Sequence, residues 1–93
     1  MPGLISAAMI VRDEERVLGD CLRSLQGIVD EIVVVDTGSR DATRDIAAAH
    51  GVRLAEFAWC NDFAAARNYA LDQATGDWIL YIDADERVRP YDH

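Results

Sequence analysis

Glu31-Ile32-Val33-Val34-Val35-Asp36 is the stretch on which the fold turns. Ile32 to Val35 is an unbroken β-branched run, which favours extended backbone. A continuous apolar run, without alternation, marks a strand buried on both faces, as in a parallel sheet covered by helices. After it, Thr37-Gly38-Ser39-Arg40-Asp41 reads as a turn into a helix, with Ser39 or Asp41 as cap. Upstream, Leu4 to Val11 is a second such run. Between the two, Val17, Leu18, Cys21, Leu22 and Leu25 recur at helical spacing. Asp13 is predicted as the N-cap of that helix, Glu14 and Glu15 suit its first turn, and Gly27 is its stop. Strands joined through a helix run parallel, with a right-handed crossover.

The pattern repeats downstream. A second helix carries Ala42, Ile46 and Ala47 inward and ends near His50-Gly51, where His50 suits the helix dipole. Val52 to Phe57 is a third strand. Asn61 or Asp62 caps a third helix in which Phe63, Ala66, Ala70, Leu71 and Ala74 share a face. Thr75-Gly76-Asp77 is an exit turn, and Trp78 to Ile82 is a fourth buried strand that ends in Asp83-Ala84-Asp85-Glu86. The expectation is one α/β domain over residues 1–93, Rossmann-like βαβαβαβ, with a mainly parallel four-stranded sheet flanked by helices.

Composition narrows the function classes. The chain has 93 residues, 51% of them hydrophobic, enough for one packed core. Its formal net charge is -8, which argues against nucleic acid or an anionic membrane as main partner. It suits a divalent cation seated between carboxylates and an anionic ligand. All nine basic residues are arginines. Cys21 and Cys60 are too far apart for a metal knuckle and read as ordinary reduced thiols. The Leu4–Val11 run is too short to span a bilayer, and neither a basic leader nor a cleavage site accompanies it. The expectation is a cytoplasmic chain without a membrane segment, reaching the inner membrane face only through regions outside it.

In an open parallel sheet, ligands bind beyond the carboxyl ends of the strands, where strand order reverses. Those ends here are Val11-Arg12-Asp13, Asp36-Thr37-Gly38-Ser39 and Asp83-Ala84-Asp85-Glu86. Alternation along an extended segment points Asp83 and Asp85 to one side. Adjacent carboxylates repel unless one is protonated or a cation intervenes, and Mg2+ or Mn2+ commonly bridges one or two carboxylates to phosphates. The plain alternative is a solvated acidic turn. Asp36 can accept from a ribose hydroxyl or a base N–H, or serve only as a capping turn. Arg67 can reach a diphosphate with its planar fork, or pair on the surface with Asp62 or Asp72. Trp59 is a core or edge aromatic, or a sugar-stacking surface. No G-x-G-x-x-G follows an early strand, and no P-loop is present.

These residues resemble the inverting family-2 glycosyltransferases of the A-type glycosyltransferase fold. The resemblance rests on four segments in order: Met9 to Glu15, Glu31 to Thr43, Ala65-Ala66-Arg67-Asn68 and Gly76 to Glu86. It implies a nucleotide-diphospho-sugar donor, with uridine as the expected base. Val11 to Asp13 would flank the base and Asp36 would contact the uracil or ribose. Arg67 would lie near the nucleotide. Asp83 and Ala84 would lie by the ribose, and Asp83 and Asp85 would hold the Mg2+ or Mn2+ that bridges the diphosphate. Many members have Pro-x-Tyr-Asn where this chain has Ile10-Val11-Arg12-Asp13, so stacking of the base on that tyrosine is lost. Many have two acids where this chain has Asp36-Thr37. Both variants resemble a bacterial subfamily acting on proteins, peptides or surface glycans. Family members are much longer, so the chain is expected to be the donor-binding part of a longer glycosyltransferase and inactive by itself. No catalytic residue is expected in it. The acceptor (glycan, lipid-linked sugar or protein) and the base that activates it are expected beyond residue 93.

Two other classes compete. A nucleotidyltransferase would carry a Gly-rich, lysine-bearing loop after the first strand, whereas no glycine follows Val11 until Gly19 and the chain has no lysine. The other is a non-enzymatic α/β binding module, receiver-like or partner-binding. A receiver would need an acidic pair after the first strand, an Asp after the third and a lysine near the end; this chain lacks the lysine and leaves the end of the third strand empty.

Overall fold

Strand pairing follows the buried runs, with one reversal of direction. The computed structural model describes residues 4–84. In it the chain forms β1 (Ile5–Val11), α1 (Leu18–Leu25), β2 (Glu31–Asp36), α2 (Thr43–Ala49), β3 (Arg53–Glu56), α3 (Phe63–Gln73) and β4 (Trp78–Tyr81). The sheet order is β3-β2-β1-β4, with every neighbouring pair parallel. The chain steps outward from β1 to β3, and then α3 carries it back to the other flank of β1. The reversal point therefore lies between β1 and β4. Register brings the carboxyl ends of β1, β2 and β3 level, with Val11 paired to Asp36 and Asp36 to Glu56, whereas β4 ends where Tyr81 pairs with Ala8.

Alternation along the strands builds two cores. Ala7, Met9, Val11 and Val34 face α1 and α2, and pack with Leu18, Cys21, Leu22, Leu25 and Ala47. Ala8, Val33 and Val35 face α3 and pack with Ala70, Phe57 and Tyr69. Each fully buried Val or Leu contributes about 1.5–3 kcal/mol, so β1, β2 and α1, which hold Val11, Val33, Val34, Val35, Leu18, Leu22 and Leu25, carry most of the stabilisation.

Four local expectations are corrected. Asp13 does not cap α1. It adopts φ +52°, and the helix begins later, after a turn in which the Glu14 carbonyl receives the amides of Val17 and Leu18. In α2, Ala42 is exposed and Thr43 is buried instead, because the Thr43 hydroxyl receives the Glu14 amide. In α3, Ala66 and Ala70 are buried, whereas Phe63 turns outward and is 49% exposed. Lastly, β4 is an edge strand and is not buried: Trp78, Ile79 and Leu80 are 60%, 43% and 40% exposed. Its apolar run reads as two-sided burial, yet no helix among the described residues covers it.

Gly76 locks the amino end of β4 to β1. Its amide donates to the Ser6 hydroxyl at 2.8 Å. A Cβ there would stand 2.5 Å from Ser6 Oγ, 2.9 Å from the Ser6 nitrogen and 3.0 Å from the Leu4 oxygen. No helix among the described residues is long and apolar enough to cross a membrane.

Candidate functional site

The loops after β1 and β2 are sewn together by their own polar side chains. Thr37 donates its amide and its hydroxyl to the Val11 carbonyl, at 3.1 and 3.2 Å. The Asp13 amide donates to the Ser39 hydroxyl at 2.9 Å, and the Asp13 carboxylate receives the Arg40 amide at 2.7 Å. Glu15 and Asp41 repeat the exchange: the Glu15 amide donates to Asp41, and the Ala42 amide donates to Glu15. Asp41 also receives the Thr43 amide and hydroxyl, which together hold its carboxyl below the usual range although burial pushes it up.

Asp36 is only 1% exposed and is turned into its own loop. Its carboxylate receives the amides of Gly38 and Ser39, each at 3.0 Å, and the Ser39 hydroxyl. Gly38, at φ +112°, permits that tight turn. The predicted contacts Asp13 and Asp36 are thus first of all the frame of the two loops. A carboxylate offers about four acceptor positions, so Asp36 has one left.

At the reversal point, the segment after β4 sets Asp83 on the side of α3. Ile82 and Ala84 pack into the α1–α2 core, so Asp83 between them turns the other way and is exposed. The Cys21 thiol touches the Asp83 carbonyl at 3.9 Å from beneath. Ala84 is 1% exposed and leaves only its main chain for a ligand. Asp85 and Glu86 lie outside the described residues.

Tyr81 was not singled out from the sequence, yet it belongs here. It pairs with Ala8 and so shares the α3 side. Its hydroxyl oxygen is buried without a hydrogen-bond partner among the described residues. Burial raises the phenol pKa, the Asp83 charge raises it further, and Arg67 opposes both. Tyr81 is therefore close enough to Asp83 and Arg67 to sense both charges. Position i, i+2 from Asp83 on an extended segment was the available signal. Arg67 pairs with neither Asp62 nor Asp72; its guanidinium lies over the Phe63 ring, 5.8 Å from the centroid.

Beside this trio an open cleft of about 400 Å³ is lined by Ile10, Val11, Arg12, Glu14, Thr37, Trp59 and Phe63. A larger hollow at the opposite end of the sheet, around Gln26, Glu31, His50 and Arg53, sits at the amino ends of β2 and β3. Ligands of open parallel sheets bind at the carboxyl ends, so the smaller cleft is the candidate.

Comparison with known proteins agrees. Residues 6–92 match the family model of Glycosyl transferase family 2. The chain is 54% identical over 84 residues to a TPR repeat-containing protein of Synechococcus elongatus, covering 90% of this chain and 21% of that protein. It is 39% identical over 83 residues to the SPbeta prophage-derived glycosyltransferase SunS of Bacillus subtilis, covering 87% of this chain and 20% of that one. It spans about a fifth of the length of these relatives. Among solved structures it resembles glucosyl-3-phosphoglycerate synthase of Mycobacterium tuberculosis in complex with Mn2+, UDP and glucosyl-3-phosphoglycerate. The TM-score is 0.75 at 28% identity, covering 87% of this chain and 33% of that one. With its parallel sheet, its reversal point between β1 and β4 and its family match over nearly the whole length, this chain belongs to glycosyl transferase family 2.

Proposed function

We propose that the chain binds the nucleotide-diphospho-sugar donor of a glycosyl transfer, a UDP-sugar held with a divalent cation, as the donor half of an inverting glycosyltransferase. The observation that carries this reading is the convergence of Asp83, Arg67 and Tyr81 at the reversal point of the sheet, next to an open cleft. The Mn2+ and UDP held by the mycobacterial relative support it.

The donor set suits the cation. Among the described residues no group of three or more His, Cys, Asp or Glu side chains could form a closed metal cage. Mg2+ and Mn2+ instead favour one or two carboxylates completed by substrate phosphates and water. Asp83, with Asp85, would supply those carboxylates. The bound cation would neutralise charge on the departing nucleoside diphosphate.

The chain's own residues bind and orient. Arg67, held over Phe63, offers a planar fork to the diphosphate. The Tyr81 hydroxyl is a buried donor without an acceptor among the described residues, which a donor oxygen can supply. Val11 and Asp13 border the base, the Asp13 carboxylate through the loop it fixes. Asp36 shapes the turn that presents Thr37 and keeps one acceptor position for a base N–H. No carboxylate here is assigned as the base that deprotonates the acceptor; that base and the acceptor site fall outside these residues.

Calorimetric titration of the chain with UDP, with and without Mn2+, tests the reading. Binding that weakens at least tenfold without metal, and in Asp83→Ala or Asp85→Ala, is expected. A folded chain showing no metal-dependent UDP binding would overturn it.

A further inference from the structure

The cleft beside Arg67 has an exposed aromatic wall, of which Arg67 covers one face of Phe63. Phe57 and Tyr69, the other pair near α3, stack on each other with ring centroids 5.0 Å apart. Trp59 and Phe63 face outward instead, 40% and 49% exposed, on the lining of the open cleft. The Trp59 indole is fixed: its Nε1 donates to the Asn61 side chain at 3.1 Å, and Asn61 sits in the left-handed region at φ +60°. Phe63 is fixed as the first residue of α3, directly after the Asp62 cap, which receives the Ala65 amide at 3.1 Å. Two exposed rings thus border the hollow with Ile10 and Val11.

We infer that Trp59 and Phe63 form the wall on which the planar base of the donor nucleotide stacks; this rests on the donor-binding reading above. The direction of the ligand argues for the base. Asp83 follows β4, on one flank of β1, and the cleft lies over the ends of β1 and β2 on the other flank. A diphosphate at Asp83 and Arg67 therefore sends one end of the donor over Ile10, Val11 and Thr37. Of the polar groups there, the Thr37 hydroxyl is committed to Val11 and the nearby Asp36 carboxylate to its own turn, while Arg12 and Glu14 complete the lining. Ile10, Val11, Trp59 and Phe63 nevertheless make most of the lining apolar, and a flat base needs chiefly a flat apolar surface. Every base has such a face, and stacking on aromatic side chains is a strong, base-tolerant contribution to binding.

The test separates base from phosphate. In a Trp78→Phe background Trp59 is the single tryptophan, and its emission is titrated with uridine, UDP and manganese pyrophosphate. Uridine and UDP are expected to quench it. Trp59→Ala and Phe63→Ala, followed by calorimetry, are expected to weaken uridine and UDP about tenfold or more. Manganese pyrophosphate binding should be unchanged in Trp59→Ala, and Phe63→Tyr should restore uridine binding. If UDP binds the unaltered chain and both alanine variants keep full uridine and UDP affinity, the wall is refuted and the donor-binding reading stands. If Phe63→Ala weakens pyrophosphate but not uridine, Phe63 serves only to hold Arg67, and the inference about Phe63 fails. If the unaltered chain binds neither UDP nor uridine, both fall.

Discussion

The amide of Asp13 donates to the hydroxyl of Ser39 at 2.9 Å, across 26 positions of sequence. That bond joins the loop after β1 to the loop after β2, and the same hydroxyl donates onward to the buried Asp36 carboxylate. Ser39→Ala removes both. We expect a loss of about 1–3 kcal/mol, because the buried carboxylate loses a donor that water cannot easily replace. Asp36→Ala should cost at least as much, since two loop amides lose their acceptor. Urea denaturation measures both; unchanged midpoints would show that the loops hold without this frame.

Gly76→Ala tests the clamp between β1 and β4. The added methyl would meet the Ser6 nitrogen and the Leu4 oxygen, both backbone atoms, so the strands themselves must move. Overpacking of this kind costs about 1–3 kcal/mol. A small domain has only about 5–10 kcal/mol in all, so the melting temperature should fall by several degrees. Thermal denaturation followed by circular dichroism provides the check.

Stability should fall in acid through Glu31. The Thr75 amide, the Ser6 hydroxyl and the Thr75 hydroxyl all donate to its carboxylate, and Arg53 stands 3.7 Å away. These contacts, the Thr75 amide first, hold its pKa below the ordinary 4.5. A carboxylate whose folded pKa is depressed stabilises fully above its unfolded value and loses that contribution as pH falls through the folded one. The loss attributable to Glu31 should thus begin near pH 4.5 and grow below it. In Glu31→Gln that part of the pH dependence should vanish, as read from denaturation midpoints across pH 3–7.

The open flank of β4 predicts self-association. Among the described residues β4 is an edge strand with no partner on its outer side, and its exposed Trp78, Ile79 and Leu80 present apolar surface. Sedimentation should show association that rises with concentration, and Ile79→Lys should suppress it. A strictly monomeric chain at high concentration would contradict this.

Much of the fold was legible because the deciding elements are local. Ile32 to Val35 can form little but a buried strand, and the stripe from Leu18 to Leu25 little but a one-sided helix. Asp83 was placed correctly at a strand end because strand length and direction follow from the same pattern. The edge position of β4 was not legible, since strand order depends on which flank of β1 the chain returns to. Nor was the role of Asp13. Its left-handed backbone and its partners Ser39 and Arg40 come from a second loop, which no local capping rule anticipates. Phe63 was misjudged because its spacing to Ala66 and Ala70 matches the buried face, although the helix begins just where the cleft opens. Tyr81 was absorbed into its apolar run, and what sets it apart is a buried hydroxyl without a partner among the described residues.

The most direct test of the account is a paramagnetic one. Nitrogen-15 amide spectra of the chain are recorded with UDP and Mg2+, and again with a trace of Mn2+. Asp83 holding a nucleotide-bound cation at the reversal point predicts that the amides of Tyr81, Ile82, Asp83 and Arg67 broaden first, while those of Gly27, His50 and Gly51 at the opposite end stay sharp. Broadening centred on Gly27 and His50, or none that depends on UDP, would contradict it.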